Sequence, residues 1–80
     1  MIRVRLFASL REIVGDHVLE FESGEGLSVA DLWKQLQQRH PDVSKYRDSI
    51  QFAVNQDFVA SETRVEDDDE VAFLPPVSGG

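Results

Sequence analysis

The 80-residue chain contains no cysteine, which excludes disulfides, thiolate metal ligands and thiol nucleophiles. It has no apolar run near the roughly 20 residues that a membrane-spanning helix needs. Nor does it start with basic residues followed by an apolar stretch, the pattern that predicts a secretory signal. We therefore expect a cytoplasmic protein without a membrane partner. At this length the chain has room for one compact domain and not for two.

Basic residues are scarce, because 8 Lys and Arg stand against 15 Asp and Glu, for a net charge of −7. This surplus of negative charge disfavours phosphate backbones, so we expect no nucleic-acid partner. The two histidines, His17 and His40, lie too far apart for metal-ligand spacing, and we predict no metal site. Residues 24–26 (Gly-Glu-Gly) lack the third glycine of a dinucleotide-binding loop and predict an ordinary loop before a helix.

Apolar residues that recur with period two predict short strands. In the first strand Ile2, Val4 and Leu6 face the core, while the arginines between them face water. The predicted strands span residues 2–7, 17–22, 50–54, 58–60 and 71–74.

One main helix is predicted between the second and third strands. Ser28 caps it, Asp31 lies in its electropositive first turn, and Pro41 ends it. Its buried stripe has the spacing i, i+3, i+4, i+7 and consists of Val29, Leu32, Trp33 and Leu36. A shorter helical turn is expected to begin at Ser9, because Ser9 and Glu12 have the spacing of a capping box.

This order of elements predicts an α+β fold of the β-grasp type, a mixed sheet with the main helix packed on one face. The first and last strands are expected to lie parallel at its centre, since the helix supplies the crossover that parallel pairing requires. We divide the chain into a β-grasp domain, residues 1–74, and an extended, flexible Gly-Gly tail, residues 75–80. The acidic run 66–70 does not match a calcium-binding loop. It is interpreted as a solvated turn or as a patch for a basic partner surface.

The tail carries the one unusual functional group. Six residues extend about 20 Å at ~3.3 Å each, and Pro75-Pro76 stiffens the root. Gly79 and Gly80 have no side chains, so a narrow channel admits them. The terminal carboxylate, with a pKa near 3.5, is ionised and a poor electrophile, so chemistry there needs activation. The chain has no ATP-binding motif, so another protein must activate it. A frayed terminus without function remains the alternative.

The sequence resembles the small subunits of molybdopterin synthase, which are ubiquitin-like sulfur carriers. The C-terminal segment, residues 75–80, is the most specific part of the resemblance, because other carriers that end in Gly-Gly lack the Pro-Pro-Val sequence ahead of the glycines. Asp68 departs from the family, which usually has glycine there, and we expect a left-handed backbone at a small stability cost. Leu74 stands where an aromatic or β-branched residue is common. The matching segments are 4–8, 10–12, 29–32, 53–56, 69–73 and 75–80.

The resemblance implies a sulfur-carrying role without catalytic side chains and without a permanently bound cofactor. An adenylyltransferase and sulfurtransferase of the ubiquitin-activating type uses ATP and magnesium to adenylate Gly80, and sulfur then displaces AMP to leave a thiocarboxylate. The tail inserts into the large synthase subunit, in a heterotetramer of two small and two large subunits, and donates sulfur to cyclic pyranopterin monophosphate. The inserted residues are Pro75, Pro76, Val77, Ser78 and Gly79.

Four residues are candidates for the partner interface. Phe7, Leu74 and Val77 are proposed as an apolar patch and Arg11 as a polar anchor, although core packing explains Phe7 and Leu74 equally well. Other functions remain open: a sulfur carrier for thiamine thiazole synthesis, a ubiquitin-like protein modifier joined to lysines through Gly80, or a binding module with an inert tail.

Overall fold

The computed structural model describes residues 1–76, which form five strands, two α-helices and a 3₁₀ helix. The strands are ordered β2-β1-β5-β3-β4 in one sheet. None of the described helices is long and apolar enough to cross a membrane. In chain order the elements are β1 (Ile2–Leu6), α1 (Ala8–Val14), β2 (Val18–Phe21), α2 (Val29–Arg39), the 3₁₀ helix (Pro41–Tyr46), β3 (Gln51–Val54), β4 (Asp57–Val59) and β5 (Glu70–Leu74).

The central pair of strands confirms the predicted β-grasp topology. Strands β1 and β5 run parallel, with Val4 opposite Val71 and Leu6 opposite Phe73. The three other strand pairs are antiparallel. Along β1, residues alternate between buried and exposed as predicted. The predicted boundary at residue 74 coincides with the end of β5, while the division into two parts stays a prediction.

Helix α2 covers one face of the sheet and closes the core. The predicted cap is confirmed, because Ser28 and Asp31 form a reciprocal capping box. The hydrogen bond from the Ser28 backbone N–H, followed by that from its hydroxyl, lowers the pKa of Asp31. Trp33 lies edge-on against Phe73 and Phe52, with ring centroids 5.3 and 6.2 Å away. This aromatic cluster fixes α2 over β3 and β5.

Two short helices differ from the sequence prediction. Helix α1 begins at Ala8 with Phe7 at the N-cap position and no side-chain cap, so the predicted cap at Ser9 is wrong. The chain turns at Ala8, where φ is +49°, and this turn lets Leu10 become fully buried. After α2, Pro41 ends one helix and starts the 3₁₀ helix, where its fixed φ suits the first turn.

Candidate functional site

The root of the tail is the end of a central strand. Strand β5 ends at Leu74, Pro75 is half-buried, and Pro76 is exposed. Because β5 is bonded on both sides, the point at which the chain leaves the sheet is held by two neighbouring strands. The remaining predicted site residues, Val77, Ser78, Gly79 and Gly80, lie outside the described residues.

Phe7 and Leu74 share the sheet face that α2 does not cover, here called the open face. Each directly follows a core residue, Leu6 and Phe73, which are opposite each other in the parallel register. Successive side chains of a strand point to opposite faces, so Phe7 and Leu74 lie level on the open face beside the tail root. Phe7 is 37% exposed and Leu74 is half-buried, and neither belongs to the core cluster.

Arg5 connects this apolar pair to the middle of the open face. Its guanidinium Cζ lies 5.5 Å from the centroid of the Phe7 ring, and one of its nitrogens lies 3.7 Å from a Glu70 oxygen. The Arg5 and Glu70 side chains are 47% and 32% exposed, so each contact contributes little to stability. Arg5 thus lies beside Phe7 on the open face.

Arg11 is exposed on α1, at the same end of the sheet as the tail root. Its backbone N–H donates to the Phe7 carbonyl at 3.4 Å. With residues 1–76 its guanidinium makes no hydrogen bond or ion pair, so it presents its donors to solvent. The structure therefore places Arg11 near the apolar pair without a contact that positions its side chain.

Phe58 is the exposed aromatic side chain that sequence reasoning missed. It is 72% exposed and lies opposite Ala53, which in turn lies opposite Ala72. These positions place Phe58 on the open face, level with Arg5 across Ala53 and Ala72 and one row of side chains away from Phe7 and Leu74. The sequence feature that could have revealed Phe58 is the two-residue Asn55-Gln56 turn. A two-residue hairpin turn pairs Phe52 with Val59, so if Phe52 faces the core, Val59 does too and Phe58 faces the opposite side of the sheet. We call the set Phe7, Leu74, Ala72, Ala53 and Phe58 the open-face strip.

The acidic run lies at the other end of β5 and is tied to the start of β1. Asp67 accepts hydrogen bonds from the Met1 ammonium group and from Ser23 Oγ, the latter at 3.0 Å. The bond with Met1 is the main cause that lowers the pKa of Asp67, and the same bond raises the pKa of the Met1 ammonium. The Asp68 N–H donates to the Met1 carbonyl at 3.0 Å.

Asp69 stabilises the acidic turn through hydrogen bonds. Asp69 accepts from the Glu66 backbone N–H at 2.8 Å and from the Asn55 side-chain amide at 3.1 Å. Asp68 has φ +70°, which confirms the expected left-handed backbone. The structure thus favours the turn interpretation of this run and shows that its carboxylates stabilise the turn. Within residues 1–76, no three His, Asp or Glu side chains are arranged to hold a metal ion.

The fold and the sequence define the class of this protein together. A five-stranded mixed sheet with one main helix on one face and a central last strand is a ubiquitin-like β-grasp fold. The model of the ThiS family matches residues 4–80, and the chain belongs to that family.

Known relatives match the chain over nearly its full length. It is 38% identical over 81 residues to the molybdopterin synthase sulfur carrier subunit of Chlamydomonas reinhardtii, with 99% of this chain and 98% of that one covered. The protein of the same name from Mycobacterium tuberculosis is 38% identical over 80 residues, with 99% and 96% covered. The solution structure of small archaeal modifier protein 1 from Methanosarcina acetivorans superposes with a TM-score of 0.80 at 34% identity, with 99% and 95% covered.

Proposed function

We propose that this chain is the sulfur carrier of molybdenum cofactor synthesis and presents sulfur on its C-terminal glycine. The observation that carries this proposal is the place where strand β5 ends: Pro75, the first residue of the Pro-Pro-Val-Ser-Gly-Gly sequence, follows a central strand beside an exposed apolar strip. The two relatives named as sulfur carrier subunits of molybdopterin synthase support the same function.

The chemistry begins at the Gly80 carboxylate. A carboxylate oxygen attacks the α-phosphorus of ATP, pyrophosphate leaves, and an acyl-adenylate forms at the terminus. A hydrosulfide ion then attacks the activated carbonyl carbon and AMP leaves, so that a thiocarboxylate remains after loss of the S–H proton. ATP and magnesium belong to an activating enzyme of the ubiquitin-activating type, since this chain shows no nucleotide-binding motif.

Delivery of the sulfur requires a second partner, the large synthase subunit. The tail residues 75–79 enter its active site and bring the thiocarboxylate to cyclic pyranopterin monophosphate. Two such deliveries supply the two dithiolene sulfurs, with two small and two large subunits in the assembly. The large subunit supplies the catalytic side chains, and this chain supplies the reacting group.

The open-face strip offsets part of the cost of ordering the tail. Fixing six residues costs about 6–12 kcal/mol at ~1–2 kcal/mol each, and the two prolines reduce that cost. Complete burial of a fully exposed Phe or Leu side chain contributes about 1.5–3 kcal/mol. Because Phe7 is 37% exposed, Phe58 is 72% exposed and Leu74 is already half-buried, the strip offsets only part of this cost, and contacts along the tail must supply the rest. Arg11 adds a polar contact at its border.

The direct test is the intact mass of the protein after incubation with its cognate activating enzyme, ATP, magnesium and a sulfur source. We expect a gain equal to the mass of sulfur minus that of oxygen, located at Gly80. A matched control with one residue appended after Gly80 should gain nothing. An unchanged mass with an activating enzyme that loads an authentic sulfur carrier would refute the proposal.

A protein modifier is the second candidate, supported by the likeness to an archaeal modifier protein. In that case Gly80 is joined to target lysines, and isopeptide-linked peptides are found in cells that express the chain. A carrier for thiamine thiazole synthesis is disfavoured by the Pro75-Pro76-Val77 segment. Complementation of strains deficient in each pathway separates the two carrier functions.

A further inference from the structure

A second surface lies around the edge of the sheet from the open-face strip. A groove of about 830 Å³ runs between the edge strand β4 and helix α2. Its apolar wall includes Trp33, Phe52 and Val59, and its rim includes Ala60 and Phe58, so the groove and the open-face strip share Phe58. Arg47 is the charged side chain that lines it within the described part of the chain. We call this surface the edge groove.

The backbone of β4 offers hydrogen-bonding groups to this groove. The two-residue turn makes Val54 and Asp57 the first pair that exchanges ladder bonds, and Phe52 and Val59 the next such pair. Phe58 lies between these pairs, so its N–H and C=O point away from β3. Because alternate residues of an edge strand direct their backbone groups away from the neighbouring strand, the Ala60 N–H also points away from β3. An edge with free backbone groups beside an apolar channel is the arrangement used for strand addition by an extended peptide.

The edge groove opens beside the tail root. Gln51 lines the groove and lies opposite Leu74 in the neighbouring strand. A partner that receives the tail therefore reaches the groove without leaving the surface of this chain. Self-association is disfavoured, because β4 has three residues and each copy has a net charge of −7.

The positive charge of Arg47 indicates what kind of segment the edge groove binds. In this acidic protein the groove wall carries a cation, and Arg47 donates one hydrogen bond, to the Ser44 carbonyl at 3.1 Å. A guanidinium has five N–H donors, so it retains several that a carboxylate accepts in a bidentate manner. We propose that the edge groove binds an extended segment of the large synthase subunit, which adds a strand to β4 and places a carboxylate against Arg47. This inference rests on the proposed function.

The charge part is tested with the full-length chain and the purified cognate large subunit by calorimetric titration. Arg47→Glu should weaken binding about tenfold or more, as for a buried charge pair at an interface. Lys45→Glu is the matched control: it makes the same charge change two residues away, outside the groove lining, and should change binding less than about twofold. Equal effects of the two substitutions would overturn the proposal.

The strand-addition part is tested on the backbone. Ala60→Pro removes the outward N–H and keeps the carbonyl that accepts from Thr63, so it should weaken binding, while Ala60→Ser should not. In wild-type protein, amide exchange at Phe58 and Ala60 should slow in the complex. Unchanged exchange would refute strand addition, and it decides the question even if Ala60→Pro does not fold.

Loading of sulfur separates this inference from the proposed function. Arg47→Glu should still gain the sulfur mass at Gly80, because the edge groove serves the large subunit. If wild-type protein gains no sulfur, the proposed function fails whatever the groove binds. If Arg47→Glu loses loading and binds the large subunit normally, the occupant belongs to the activating enzyme and the inference is wrong.

Discussion

The two ends of β5 differ in how their polar and apolar groups are used. At the acidic end, Asp67 and Asp69 bond to Met1, Ser23, Glu66 and Asn55, so these carboxylates are used within the molecule. At the tail end, aromatic rings and guanidinium groups face solvent. The dense charge run thus stabilises a turn, and the exposed apolar end is the surface proposed for partner binding.

This contrast predicts that the acidic end of β5 contributes to stability and that the tail end contributes to function. Changes at the tail end should affect partner binding and sulfur transfer and leave unfolding almost unchanged. Changes at the acidic end should affect unfolding and leave binding almost unchanged. A substitution at one end that changes both stability and binding would contradict this contrast.

The largest effect is expected from deletion of Gly79 and Gly80. Sulfur transfer should be lost completely, because the activated carbonyl is removed, while the thermal unfolding midpoint stays the same. The measurement pairs molybdopterin production in a reconstituted synthase with a calorimetric scan. Retained activity would mean that the tail is inert.

Next in size is Phe58→Ala on the open-face strip. Because this ring is 72% exposed, its removal should cost little stability but weaken binding to the large subunit about tenfold, as for an aromatic anchor. Titration calorimetry measures the change. Glu66→Ala at the acidic end is the control, and an equal loss with it would contradict the contrast.

Asp69→Ala should lower the free energy of unfolding by about 1–2 kcal/mol, since the Glu66 N–H and the Asn55 amide lose their acceptor. Urea denaturation measures this. Affinity for the large subunit should stay within about twofold, because partly exposed charges remote from an interface contribute little to binding. A large loss of affinity would show that the acidic turn contacts the partner.

The pair of Asp67 and Met1 predicts a stability that falls at both ends of the pH scale. The lowered pKa of Asp67 gives stability above its ordinary value of 3.8, which is lost as the pH falls through the folded-state value. The raised pKa of the Met1 ammonium gives stability below its ordinary value of 8.0, which is lost as the pH rises through the folded-state value. Asp67→Asn should flatten both limbs in denaturation curves. In Asp31→Asn, only the acid limb should change.

The smallest expected effect is a gain. Asp68 has φ +70°, and glycine adopts this conformation without the side-chain penalty, so Asp68→Gly should raise the free energy of unfolding by up to about 1 kcal/mol. Urea denaturation measures it, with sulfur loading unchanged. A loss of stability would show that the Asp68 carboxylate has a role in the turn.

Much of the fold was predictable because its signals are local. The alternation of β1 and the Ser28 cap with its helical stripe each depend on neighbouring residues, whereas the left-handed backbone at Asp68 was expected from the resemblance to a family that usually has glycine there. The start of α1 was not predictable in this way. Burial of Leu10 decided it, and that burial depends on elements distant in the chain.

For the candidate site, the sequence by itself determined which residues are predicted to form the tail and why its terminal carboxylate is the proposed reacting group, since these predictions depend only on the order of residues. Only the tertiary structure decided that Phe7, Leu74 and Phe58 share one face, and that an edge groove lies beside the tail root. The physical reason is register. Strands far apart in sequence are aligned by core packing, and a shift of one residue would send each of these side chains to the opposite face.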